Sequence, residues 1–272
     1  SFVHPLTTGA NGLFSVWSLQ TILTRLITKT WSAKLLIRNK GDAAVQFLTI
    51  LAGRVWKREE LVHIGEICIR HGVTVVSDEI HCELVFPGYC YTPFASISED
   101  FLRHSVTCIS PSKAFNIAGL QIANIVCANA DRRARIDRAI NDNEVCDVNP
   151  FGVIATQAAY NEGKEWLDQL IEYLHANYLY MRDFCREHLP EFPVTILEGT
   201  YLVWMDCRKL GISSEELERR LVTEARLWLN AGTMYGAEGE GFMRWNIACP
   251  RNTLTEGLKR FVHFVKKTSI DA

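Results

Sequence analysis

From Arg54 onward the apolar positions fall into regular periods. Residues 57–72, KREELVHIGEICIRHG, put Leu61, Ile64, Ile67 and Cys68 on one stripe, and the spacing predicts an amphipathic helix capped by Gly72. Residues 73–80, VTVVSDEI, open on a continuous β-branched run, the pattern of a strand covered on both faces. Further strands are predicted over 105–109 and 122–128, and helices over 131–141 and 152–160. Strands alternating with helices in this way predict an α/β fold, with a mostly parallel sheet and helices on both faces.

The second half of the chain changes style. A long helix is predicted over 165–188, stopped by Pro190 and Pro193. Strands at 194–197 and 201–206, a helix over 213–225, a strand over 242–248 and a last helix from Thr253 then read as a smaller α+β unit. Ser213 and Glu216 have the spacing of a capping box. Before Arg54 the logic is weaker. Residues 18–31 suit a helix, with Leu19, Ile22, Leu23, Leu26 and Ile27 apolar, but the flanking stretches pass between element types without turns. The expected division is 1–52 as incomplete N-terminal segments, 53–165 as a large domain, 166–190 as an interdomain helix and 191–272 as a small C-terminal domain.

Composition narrows the classes. The 272 residues are 48% hydrophobic and 22% charged, which is ordinary for a globular protein. A net charge of −2 supplies no basic field for a phosphate backbone, so nucleic acid is not expected as a partner. No apolar run approaches the ~18 residues of a membrane span, and no signal peptide is evident. The nine cysteines are scattered, odd in number and without a C-x-x-C pair, so reduced thiols in the cytoplasm are expected and no metal site is.

Three stretches carry candidate chemistry. SDEIH (77–81) ends a buried strand with Asp78, Glu79 and His81, at the strand end where open α/β sheets bind ligands. Alone it reads better as an acidic turn that ends the strand. SPSK (110–113) sets Lys113 at another strand end among Ser110 and Ser112. A solvated lysine needs no such setting, whereas an amine nucleophile gains from burial and neighbours that free its lone pair. GEGFMRWNIACPR (239–251) places Arg244 in an apolar strand, where a guanidinium needs an anionic partner unless it alternates out to solvent. Together the three suit pyridoxal phosphate chemistry, which takes a lysine for the Schiff base and an acid for the pyridinium nitrogen. An arginine fork then suits the carboxylate of an amino-acid substrate.

VSDEIHCELVF, SPSKAFNIAGLQ and GEGFMRWNIACPR resemble the fold-type I pyridoxal 5′-phosphate enzymes, and within them the MalY/PatB family of carbon–sulfur β-lyases, from about Ala52 to the C-terminus. The resemblance implies cofactor binding by Asp78, His81, Ser110, Ser112 and Lys113. Lys113 would be the catalytic amine, Asp78 the partner of the pyridine nitrogen and His81 a neighbour of the ring's phenolic oxygen. The two serines would help hold the phosphate. Arg244 would grip the substrate carboxylate, with Asn116 and Tyr235 lining the site. A homodimer is implied, as is β-elimination from cystathionine or a related cysteine conjugate to a thiol, pyruvate and ammonia.

Family members carry a much longer stretch before GRVW. Here FLTILAGRVW lacks the asparagine segment expected to precede it, and the ring-stacking aromatic residue and the glycine-rich phosphate turn are not evident. Residues 1–52 are therefore expected to be joined pieces of a longer chain, with a real truncation that lacks a complete pocket as the alternative. An aminotransferase on the same scaffold is the near alternative. A non-catalytic regulatory binding protein is the more distant one, and the retention of Lys113, Asp78 and Arg244 argues against it.

Overall fold

A computed structural model describes residues 14–15, 44–47 and 53–270, with side chains described over 53–268. The predicted helix at 18–31 lies outside the described residues. Strands β1 (Phe14–Ser15), β2 (Ala44–Phe47), β3 (Thr74–Asp78), β4 (Ser105–Ile109) and β5 (Asn124–Val126) form one sheet in the order β1-β5-β4-β3-β2. The β2–β3 and β3–β4 pairs are parallel, whereas β5 runs antiparallel to both β4 and β1. The third predicted strand is thus shorter than expected and reversed. No helical crossover separates it from β4, and a parallel return needs one.

Helix α1 (Arg58–Arg70) closes as its sequence predicts. Val73 N–H donates to Cys68 C=O at 2.8 Å and Gly72 N–H to Ile69 C=O at 3.0 Å, with Gly72 at φ +65. Its Leu61 and Cys68 pack with Val75 of β3 and with Phe94 and Phe101. Phe101 belongs to the short α2 (Glu99–Arg103), and its ring fills the space a Cβ on Gly65 would need. On the other face Val106, Cys108 and Ile125 pack with Ile140 of α3 (Ala130–Asp142) and with Val76. Val75 and Val76 point to opposite cores, so the β-branched run is covered on both sides.

Helices α4 (Pro150–Glu162) and α5 (Lys164–His188) lead into a second, antiparallel sheet, ordered β6 (Leu202–Asp206), β8 (Phe242–Asn246), β7 (Asn230–Ala231). Helices α6 (Ser214–Ala225) and α7 (Arg251–Ile270) pack on it. Its core takes Met181 from α5, Met205 from β6, Leu221 from α6 and Phe261 from α7, and also Leu84, Phe86 and Ala114 from the first half of the chain. Two sequence expectations need correction here. Residues 194–197 make only one bridge, Val194 to Met205, because Pro193 has no N–H to donate and Ile196 is 72% exposed. Ser213 does cap α6, accepting from Glu216 N–H at 3.3 Å, but the Glu216 carboxylate accepts from Arg219.

Candidate active site

Parallel pairing in register sets Asp78 opposite Cys108, and Glu79 N–H donates to Cys108 C=O at 2.8 Å, so both strand ends stop at one edge of the sheet. Asp78 is half-buried, and its carboxylate accepts from Ile80 N–H at 3.3 Å. Burial pushes its pKa up; the Ile80 hydrogen bond and the Lys113 charge oppose this, and Glu79 adds to it. Glu79 turns the other way and is buried. Its carboxylate accepts from Ser77 Oγ at 2.8 Å, from Phe94 N–H at 3.2 Å and from the Tyr91 hydroxyl. Of the two adjacent acids, Glu79 anchors the 91–94 segment and Asp78 is left for the site.

After β4 the chain turns through 110–117. The Ser110 hydroxyl donates to Ile122 C=O at 2.5 Å and accepts from Ser112 N–H at 3.1 Å. Phe115 N–H donates to Pro111 C=O at 2.9 Å and Ile117 N–H to Ser112 C=O at 3.2 Å. Asn116 is exposed with φ 53, a left-handed conformation that asparagine tolerates better than most residues. The turn holds Lys113 half-buried, and among the described residues its amine makes no hydrogen bond or ion pair. The one hydrogen of the Ser110 hydroxyl is committed to Ile122, whereas the buried Ser112 hydroxyl has no partner among the described residues.

His81 is 1% exposed. Its Nδ1 lies 3.1 Å from Thr200 Oγ1, and its ring meets Tyr201 edge-on at 5.7 Å between centroids. Burial foremost, with the charges of Lys113 and Arg244 acting the same way, lowers its pKa to about 3, so the ring is neutral at pH 7. Arg244 pairs with Trp204 across β8 and β6 and lies over the Tyr235 ring, 4.2 Å from its centroid. Its Nη2 donates to Asn230 Oδ1 at 3.2 Å. Its Nε is buried without a partner, and no carboxylate among the described residues pairs with it. Burial lowers the Arg244 pKa, with Tyr235 and Tyr201 opposing the effect.

The Lys113 charge acts on Asp78 and His81, and the Arg244 charge on His81, so these four form one electrostatic neighbourhood between β3 and β8 and the turns that carry His81 and Lys113; Tyr235 belongs to it through Arg244. Asn116 is tied to the loop and to none of these four. Sequence reasoning missed Thr200 and Tyr201. Tyr201 follows a glycine–threonine pair at a predicted strand start, and only its place beside His81 distinguishes it.

The fold and site define a class: α/β proteins that present a lysine and an acid at the carboxyl ends of neighbouring strands. The chain belongs to the class I and II aminotransferase family, whose sequence profile matches residues 52–261. It is 44% identical over 209 residues to the cystathionine β-lyase PatB of Bacillus subtilis, covering 77% of this chain and 54% of that protein. It is 33% identical over 215 residues to the protein MalY of Escherichia coli, covering 79% of this chain and 54% of that protein. The crystal structure of cystalysin from Treponema denticola, which contains pyridoxal 5′-phosphate, superimposes with a TM-score of 0.77 at 35% identity, over 79% of this chain and 55% of that one. The fold is therefore the type I architecture expected from the sequence. The chain spans about half the length of the curated relatives it matches.

Proposed function

We propose that the protein is a pyridoxal 5′-phosphate-dependent carbon–sulfur β-lyase acting on cystathionine or a related cysteine conjugate. The observation that carries this is the Lys113 amine, unpaired among the described residues at the end of β4, with its charge acting on both Asp78 and His81. The residues fit the cofactor. A half-buried carboxylate with a raised pKa calls for a cationic N–H, and a buried guanidinium nitrogen without a partner calls for a carboxylate. PatB, the relative at 44% identity, is a cystathionine β-lyase by name, which supports the same reading.

Asp78 would hold the pyridine N–H, and neutral His81 would face the ring's phenolic oxygen. Ser112, whose hydroxyl is uncommitted, would donate to the phosphate; Ser110 would support it by fixing the turn. When bound, the cofactor supplies an electron sink for the pair left at the substrate Cα. Lys113 Nζ would take the Cα proton. Arg244 would fork the substrate α-carboxylate, held in plane by Tyr235 beneath it and Asn230 beside it. A thiolate on Cβ can then depart with its electron pair, and hydrolysis of what remains yields pyruvate and ammonia. The testing experiment follows pyruvate and ammonia from cystathionine with no 2-oxo acid added. Their release supports the lyase. Turnover only when a 2-oxo acid is supplied identifies an aminotransferase.

The proposal includes a homodimer. Phe151 is 72% exposed on α4, with Val153 and Ile154 exposed beside it, an apolar face that a second copy would cover. The nine cysteines, all unbridged, support a cytoplasmic setting.

A further inference from the structure

Thr200 is a β-branched residue held at φ 63, in the left-handed region that such side chains avoid, and it is 0% exposed. A strained residue persists only where its surroundings over-determine it, and such residues gather at functional sites. The surroundings here are specific. Thr200 N–H donates to Leu84 C=O at 2.7 Å, Phe86 N–H donates to Glu198 C=O at 2.9 Å, and Val85 bridges Gly199. This short ladder clamps the lead-in to β6 against the segment that follows His81. Its outcome is one side-chain contact, Thr200 Oγ1 to His81 Nδ1 at 3.1 Å. A few residues on, the same chain segment enters β6, which pairs with the strand carrying Arg244.

A buried neutral imidazole has two tautomers, and the partner of one nitrogen decides which atom of the other faces the site. If His81 is to serve an acceptor oxygen, its hydrogen must sit on Nε2, and Nδ1 must then accept. A hydroxyl can donate to Nδ1. Valine, of nearly the same shape, cannot. We propose that Thr200 is a positioning residue: its hydroxyl donates to His81 Nδ1, fixing the ring plane and the Nε2–H tautomer that His81 turns toward the Lys113 site. The proposal rests on the functional reading above, because the value of that tautomer depends on an acceptor beside Lys113. The left-handed backbone of Thr200 brings the hydroxyl into place.

The test is nitrogen NMR of histidine-labelled protein, with and without added pyridoxal 5′-phosphate. His81 signals are assigned by their loss in His81→Gln. Wild type should show a single Nε2–H tautomer. Thr200→Val, which keeps the shape and loses the hydroxyl, should give averaged signals of mixed tautomers, and kcat should fall about tenfold at equal cofactor occupancy. Thr200→Ser should restore both. Retention of one tautomer in Thr200→Val would overturn the proposal. So would mixed or Nδ1–H signals in wild type, a result that needs no Thr200 variant to fold. If instead the functional reading fails, wild type takes up no cofactor, while the cofactor-free spectra still report on the Thr200–His81 pair.

Discussion

Asp78 stands opposite Cys108 in the parallel ladder between β3 and β4, and this register brings the SDEIH and SPSK segments to one edge of the sheet. A two-residue slip would keep each side chain on its face and still part Asp78 from Lys113.

Asp78 is a half-buried carboxylate whose burial outweighs the opposing Lys113 charge and Ile80 hydrogen bond. Its folded pKa lies above the unfolded value, so its contribution to stability is present at low pH and lost as pH rises through the folded pKa. Asp78→Asn removes this penalty. The cofactor-free variant should melt about 2–4 °C above wild type at pH 7 for each ~1 kcal/mol relieved. If Asp78 holds the pyridine N–H, the order should reverse with pyridoxal 5′-phosphate added, since the variant would bind it more weakly. Paired melting curves with and without cofactor test both halves.

His81 works in the opposite sense. Its folded pKa, about 3, lies below the unfolded value near 6.5. Its contribution is present above the unfolded pKa and lost as pH falls toward 3, at up to about 1.4 kcal/mol per pH unit. His81→Gln cannot take up that proton. The stability of the variant relative to wild type should therefore rise as pH falls from 6.5 to 4, measured by urea denaturation at each pH. A constant difference across that range would show that His81 is not held neutral.

Glu79 is expected to matter for the fold rather than for the chemistry. Glu79→Ala strips the acceptor from Ser77, Tyr91 and Phe94 N–H in a buried setting. A loss of about 2–4 kcal/mol in unfolding free energy is expected, read from denaturant midpoints.

Arg244→Lys keeps the charge and loses the fork. If Arg244 grips the substrate carboxylate, kcat/KM should drop about 10–100-fold, mostly through KM, with the absorption of the bound cofactor unchanged. Steady-state kinetics beside a visible spectrum separate this from a general loss of the site.

Much of this was legible in the residues. The β-branched run before Asp78 announced a strand buried on both faces, and Gly72 announced the end of α1. The direction of β5 was not legible from its own pattern, because apolar residues mark burial and leave strand direction open. The missing crossover helix between Ile109 and Ile122 was the available sign. At 194–197 the alternation suggested a strand, but Pro193 and the outward Ile196 left it a single bridge. Of the adjacent acids at 78 and 79, periodicity alone does not say which is structural. Two of the three partners of Glu79 come from 12 and 15 positions downstream, and only the folded chain brings those in. Thr200 was invisible for a similar reason, since nothing in a β-branched side chain foretells a left-handed backbone.

The proposed function requires Lys113 to be the amine that joins the cofactor. The direct measurement is borohydride reduction of the protein loaded with pyridoxal 5′-phosphate, followed by peptide mapping by mass spectrometry. A phosphopyridoxyl adduct is expected on the peptide containing Lys113, and none in Lys113→Ala. No adduct in the wild-type protein, or an adduct on a different lysine, would contradict it.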